Sequence, residues 1–402
     1  MIALLLCYTL TLNSAIERGL EYSPDIKMLK YNLEISKKTN SYNYSSLLPS
    51  ITSTGGRTKS YPGGYENYFA NFTLSQSLSP YTFLNGVNAH FKNTFAFSNY
   101  LEGVNNTIFQ IIQYYLNAYT LKRLRLVSEK RWNKAKENLD KIKEMFKLGS
   151  ASKADLLKAE VDESQAYLNF LKAKSNLRSS ILQLKNAILI PLSDSLELSS
   201  PSLNFVVPSL DSLKALSEKN RPRLIAAYSE VNSARTELIS DISNYLPRFS
   251  ISGSYGYAGR QFPDTKEIWD NNDSYSIGIN LSMDIFTGFK KVNTSIINKM
   301  KLSSAEWSLK KERAEVEMEV EDAYYSYIEA KTQVDVAKKG LKLAEESETA
   351  TKERYELGEA SVIELLSGEA DLLDAQYNYE NAKKAYILSI YNIKKAVGKI
   401  LE

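Results

Sequence analysis

The side chains that could do chemistry are few. The 402-residue chain holds one His (His90) and one Cys (Cys7). That leaves no disulfide framework. It also argues against zinc or iron–sulfur sites and against Cys–His or Ser–His–Asp chemistry. No P-loop or other nucleotide motif occurs. Carboxylates are abundant, and two stand out by position. Asp155 lies six residues after Gly149, and Glu364 lies six after Gly358. The plain role for an acid in a first helical turn is to satisfy that turn. Tyr355, just before Gly358, carries a hydroxyl that can donate to a carboxylate. A glycosidase-like carboxylate pair is conceivable, but no pocket-forming α/β pattern accompanies these residues. An enzyme is the weakest reading, and no cofactor or metal is expected.

The elements around these residues point to a structural, binding or pore-forming role. The chain has 50 basic and 47 acidic residues, a net charge of +3. That balance argues against a nucleic-acid partner. No run of 18 apolar residues exists, so no transmembrane helix is expected. The short apolar run Ile2–Leu12 resembles a secretory-signal core, and residues 1–12 read as a possible signal-peptide remnant. No Lys or Arg precedes it, which suggests a truncated start. Leu6, not a small residue, precedes Cys7, so a lipoprotein site has little support.

The chain repeats itself in order. Ser23-Pro24-Asp25-Ile26 parallels Arg221-Pro222-Arg223-Leu224, and Leu48-Pro49-Ser50-Ile51 parallels Leu246-Pro247-Arg248-Phe249. Phe83-Leu84-Asn85-Gly86 parallels Ile285-Phe286-Thr287-Gly288. The segment from Leu148-Gly149-Ser150 to Leu157 parallels Leu357-Gly358-Glu359 to Leu366. The halves are residues 13–190 and 212–402, with 191–211 a crossing linker. Each half reads as helix, strand, strand, very long helix, short break, helix.

Period-two alternation predicts strands at about 49–57, 68–79, 248–260 and 275–285. In the last, Tyr275, Ile277, Ile279, Leu281, Met283 and Ile285 alternate with Ser276, Gly278, Asn280, Ser282 and Asp284. Strands of about ten residues, apolar on one face and small or polar on the other, suit lipid outside and water inside. A soluble sheet packed on one face is the alternative. Four strands cannot close a barrel, and an open edge cannot sit in lipid. The membrane reading therefore requires several chains to share one barrel.

Long helices are expected at about 87–147 and 289–356, on the order of 90–100 Å each. Helices at about 152–189 and 361–397 follow them. Val316, Val320, Ala323, Tyr327, Ala330, Val334, Ala337, Leu341 and Ala344 keep the 4-3 spacing of a coiled-coil seam. The Lys and Glu residues around it read as a solvated face.

This duplicated strand–long-helix plan resembles the TolC family of outer-membrane efflux proteins over residues 12–400. The LPxxxxSG start of a strand (Leu246–Gly253), Phe286-Thr287-Gly288 and Arg354-Tyr355-Glu356-Leu357-Gly358-Glu359-Ala360-Ser361 carry it. So do Asn381–Tyr386 and Tyr391–Gly398. The resemblance implies a mainly α fold with membrane β. It implies a homotrimer whose twelve strands form an outer-membrane barrel, continued by a helical barrel across the periplasm. The expected partners are outer-membrane lipid, a periplasmic adaptor (membrane fusion) protein and an inner-membrane transporter. The expected role is a passive exit duct for tripartite efflux or type I secretion. The sequence chooses neither between solute and protein cargo nor a specific adaptor.

Two further expectations come with the family. Leu148, Gly149, Ser150, Leu357, Gly358 and Glu359 would be adaptor-docking tips, where a plain helix C-cap is the alternative. Asp155, Tyr355 and Glu364 would form a periplasmic gate: the family's closing network includes the positions matching Asp155 and Tyr355, and Glu364 joins them by its equivalent place after Gly358. In a trimer each carboxylate occurs three times, and such a ring favours cations. An Arg often belongs to the family's closing network, but Ala360 stands there, and Ser367 replaces a second family Asp. The competing function is a coiled-coil scaffold or tether without a channel.

Overall fold

A computed structural model of the chain describes residues 7–201 and 206–400. Two prolines set the layout of its first helices. α1 (Leu12–Tyr22) and α2 (Pro24–Ser45) would be one helix but for Pro24. The residue before a proline is pushed into extended backbone, and the ring suits the first helical position. Ser23 accordingly takes φ −57°, ψ 128°, and its N–H still reaches Gly19 O at 3.0 Å. The second half repeats the device. α5 (Leu210–Asn220) ends at Arg221, which has φ −66°, ψ 117°, and α6 (Pro222–Ser243) follows. The single leading helix expected in each half is thus a broken pair.

The strands are β1 (Cys7–Leu10), β2 (Ser50–Lys59), β3 (Glu66–Leu78), β4 (Ser195–Leu198), β5 (Arg248–Gly259) and β6 (Asp273–Ser282). The remaining helices are α3 (Pro80–Lys147), α4 (Lys153–Ala187), α7 (Lys266–Asp270), α8 (Lys290–Glu356) and α9 (Val362–Ala396). β1 lies inside the apolar run 1–12 and pairs in parallel with β4, which lies inside the stretch read as a plain linker. Residues 1–6 of that run and 202–205 of that stretch lie outside the described residues.

The chain divides into two units. One comprises Met1–Lys30, Leu101–Arg221 and Glu315–Glu402; the other comprises Tyr31–Tyr100 and Pro222–Ala314. The second unit holds an antiparallel sheet in the order β2-β3-β5-β6. Its register aligns like with like. Ile51, Leu74, Gly253 and Ile277 form one row, and Leu78, Phe249 and Leu281 another. Next to the first row, on the side away from the second, Thr52, Thr73, Ser254 and Ser276 line up on the opposite face. The apolar face is uncovered: Ile277 and Ile279 are 83% and 77% exposed.

The first unit is held by the helical seam. Val316, Val320, Ala323 and Ala330 are buried, and the other seam positions are half-buried. Val320 and Ala323 pack with Leu213, Ile393, Ala396 and Val397. Buried Tyr115 directs its hydroxyl to Leu10 O at 2.9 Å and Ser199 O at 2.8 Å, fixing the small β1–β4 sheet on α3. Arg221, the broken-helix residue, is itself buried. It lies 3.0 Å from Glu102 and 2.9 Å from Glu319, and donates to Lys395 O.

Candidate functional site

The two helix–turn–helix tips of the first unit are built alike. α3 ends when Gly149 enters the left-handed region at φ 78°. The Gly149 N–H then reaches Phe146 O at 3.1 Å, and the Ser150 N–H reaches Met145 O at 2.9 Å. α8 ends the same way at Gly358, φ 79°, with Gly358 N–H to Tyr355 O at 3.0 Å and Glu359 N–H to Arg354 O at 2.8 Å. This is the Schellman closure, which satisfies the last carbonyls of a helix and selects glycine because it has no Cβ. The turns leave Leu148 and Leu357 83% and 75% exposed at their outer ends. The six tip residues named from the sequence therefore all sit in these turns.

Behind each turn stands a capping box. The Ser152 hydroxyl accepts from Asp155 N–H at 3.1 Å, and the Asp155 carboxylate accepts from Ser152 N–H at 3.0 Å. Ser361 accepts from Glu364 N–H at 3.2 Å, and Glu364 accepts from Ser361 N–H at 2.7 Å. Each exchange satisfies two orphan backbone donors. The bonds have an electrostatic consequence. The Ser152 hydroxyl and N–H hold the Asp155 carboxyl below its usual range, and the Ser361 N–H does the same for Glu364. Both acids thus stay ionised at neutral pH. The plain capping role weighed in the sequence is one that both perform.

Among the described residues, Tyr355 bonds to no carboxylate. Its hydroxyl faces Met145 Sδ at 4.0 Å. Burial raises its pKa, and the charge of Asp155 raises it further, so the two groups sense each other without touching. Under the turns, Leu139, Ile142, Leu156 and Ala159 form a small core, with Ala151 and Val362 against it.

A cluster not anticipated from the sequence lies roughly 15–25 Å behind the turns, from the helical rise. Arg131 Nη2 sits 2.7 and 2.8 Å from the two Asp162 oxygens, and Nη1 is 3.0 Å from Glu369 Oε2. Lys134 pairs with Glu348 and lies 3.3 Å from Glu369 Oε1, which also accepts from Asn138 at 2.9 Å. The Glu369 side chain is 1% exposed. A signal was present. The 4-3 seam that runs through Leu341 and Ala344 takes its next step at Glu348. Glu369 follows buried Leu365 and Leu366 at helical spacing on α9.

Residues 214–399 match the family model described as outer membrane efflux protein. The chain is 25% identical over 197 residues to Outer membrane protein TolC of Vibrio cholerae, covering 48% of this chain and 45% of that one. It is 20% identical over 299 residues to Outer membrane efflux protein BepC of Brucella suis, covering 73% and 64%. The matched part is thus about half to two thirds of these relatives' length. The fold matches the crystal structure of the Campylobacter jejuni CmeC outer membrane channel with a TM-score of 0.85 and 18% identity, over 97% of this chain and 86% of that one.

Proposed function

From the match of residues 214–399 to the outer membrane efflux protein family, we propose that the chain is a TolC-family protein, three copies of which form the outer-membrane exit duct of a tripartite efflux or type I secretion system. The observation that carries this reading is the sheet β2-β3-β5-β6. Its outer strands, β2 and β6, each have one neighbour, and its apolar face is uncovered. Unpaired backbone groups cannot sit in hydrocarbon. An apolar face opposite a Ser/Thr/Gly face fits a barrel wall with lipid outside and water within. Three such sheets, joined edge to edge, make twelve strands and leave no edge.

On this reading the protein sits in the outer membrane and meets its partner in the periplasm. Conduction is passive, so the energy comes from an inner-membrane transporter reached through a periplasmic adaptor. Exposed Leu148 and Leu357 at the turns supply an apolar docking surface for that adaptor. The rings formed by Asp155 and Glu364 in the trimer line the entrance with negative charge.

The test is mass and shape after extraction in mild detergent, by native mass spectrometry and negative-stain imaging. The expected result is a trimeric, detergent-dependent tube. A detergent-independent monomer or dimer would overturn the duct in favour of a scaffold.

A further inference from the structure

The two strand hairpins differ at the end away from α3 and α8. Residues 60–65 join β2 to β3, whereas the longer stretch 260–272, which contains α7, joins β5 to β6. This longer loop folds back over the apolar face of the sheet. Trp269 stacks on Tyr257 with ring centres 5.6 Å apart, and its indole N–H donates to the Tyr255 hydroxyl at 2.8 Å. Phe262 meets Tyr68 edge-on at 5.7 Å. By register and alternation, Tyr68, Tyr255 and Tyr257 share the face of Ile277 and Ile279. Tyr257 is fully buried there.

The loop also satisfies its own backbone. The Thr265 hydroxyl accepts from Ile268 N–H at 3.4 Å, and the Thr265 carbonyl accepts from Trp269 N–H at 3.2 Å. Asn271 N–H reaches Glu267 O at 3.1 Å, and Asn272 N–H reaches Trp269 O at 3.0 Å. Backbone groups bonded in this way tolerate removal from bulk water. The one polar atom of the Trp269 side chain is paired as well, so the same holds for its ring.

The face beneath the loop changes character along the strands. An aliphatic row holding Leu74 and Ile277 comes first. The row of Phe72, Tyr255 and Tyr275 follows, then that of Tyr257, then that of Tyr68 with Arg57, and last Lys59 opposite Glu66. Rows on one face are two residues apart, roughly 5 Å in depth for a strand tilted about 45°. The aromatic rows therefore cover about 10 Å between the aliphatic and the charged ones. Hydrocarbon, a thin amphipathic layer and water succeed one another in that order across a leaflet. Tyr and Trp favour the middle layer, where the ring is in apolar surroundings and the O–H or N–H meets polar ones.

We propose that the β5–β6 loop is a membrane anchor whose partner is lipid. It lies outside the barrel, in the interfacial layer of the bilayer, with Trp269 setting the depth, and it does not cover the pore mouth. The shorter β2–β3 loop has no counterpart to α7, so each subunit contributes one anchor. The anchor rests on the duct reading, since it needs the apolar face in lipid.

The test is tryptophan fluorescence of the full-length protein reconstituted in phosphatidylcholine vesicles. The chain has three tryptophans, so Trp132→Phe with Trp307→Phe leaves Trp269 as the single emitter. Lipids brominated close to the headgroup are expected to quench it several-fold more than lipids brominated at the chain end, and aqueous iodide only weakly. Strong iodide quenching without dependence on bromine would place the loop in water and overturn the anchor. Strongest quenching from the chain end would overturn it too. A second emitter, Ile279→Trp with Trp269, Trp132 and Trp307 all changed to Phe, reports on the sheet itself. Chain-end bromine should quench that one. If it does while Trp269 responds only to iodide, the anchor falls and the duct stands. If neither emitter responds to bromine, the sheet is not in lipid and both readings fall. Should the single-tryptophan chain fail to assemble, the difference between the parent and Trp269→Phe reads the same component, and no headgroup-sensitive difference would overturn the anchor.

Discussion

Asp155 and Glu364 hold the same place in two copies of one motif: each carboxylate accepts the backbone N–H of the Ser three residues before it, at 3.0 and 2.7 Å. The equivalence separates two roles that one residue can carry. The cap needs an acceptor oxygen, and the ring needs a negative charge.

Asp155→Asn with Glu364→Gln keeps an acceptor and removes the charge. Cation selectivity is expected to weaken while the hairpins stay folded. The measurement is the reversal potential across a salt gradient. Unchanged potentials would remove the carboxylate ring and leave the caps.

The caps also have a pH signature. Both folded carboxyls titrate below their ordinary values of 3.8 and 4.5. Stabilisation from a depressed acid is present above the unfolded pKa and disappears as pH falls through the folded one. Hydrogen exchange at the Ser152 and Ser361 amides should stay slow through mild acid and speed up only below the ordinary carboxylate range. Loss of protection near neutrality would contradict the bonding described.

Gly149 and Gly358 sit at φ 78° and 79° with open space around them, so a methyl group meets no clash but the backbone resists. Gly149→Ala or Gly358→Ala is expected to cost about 1–2 kcal/mol at its own turn. Local exchange protection reads this directly, and Gly340→Ala, with equal space in mid-helix, should not destabilise.

The sheet can be tested face by face. Ile279→Arg places a charge on the apolar row, where a lipid-facing site costs about 2–4 kcal/mol at the midplane. Asn280→Arg, on the opposite face, should be tolerated. Trimer yield from membranes separates the two, and equal yields would argue against lipid on the apolar face.

Arg221→Met removes a buried cation from half-buried Glu102 and Glu319 and frees Lys395 O. Breaking such a pair costs about 3–5 kcal/mol. Thermal unfolding should report it, and a change under 1 kcal/mol would reduce Arg221 to a surface-like pair.

The sequence made the periodic parts legible. β6 could be read from Tyr275 to Leu281 because each apolar residue has a small polar neighbour. The tips could be read because Leu148-Gly149 and Leu357-Gly358 recur in the same context. What escaped was whatever departs from periodicity. Pro24 and Pro222 sit in helical patterns that continue through them, so only the backbone restriction before proline marks the break. β1 and β4 are four residues each, too short for alternation to register. Glu348 and Glu369 carry the residue type of a wet surface at the positions of a core, and residue type outweighed spacing. Asp155 and Glu364 were legible as positions, with capping as their plain role, but the choice between cap and charged ring was not. A capping box and a charged ring use the same acid at the same place, and one chain's sequence does not contain the neighbours that tell them apart.

The two one-sided strands β2 and β6 also govern how the protein comes into being. In the proposed trimer a subunit alone cannot finish its own sheet, so completion would wait on encounters with two others and slow with dilution. Once the last seam zips shut, no strand is left to trade. Differently tagged subunits mixed before that moment should scramble, and closed assemblies mixed afterwards should keep their original membership.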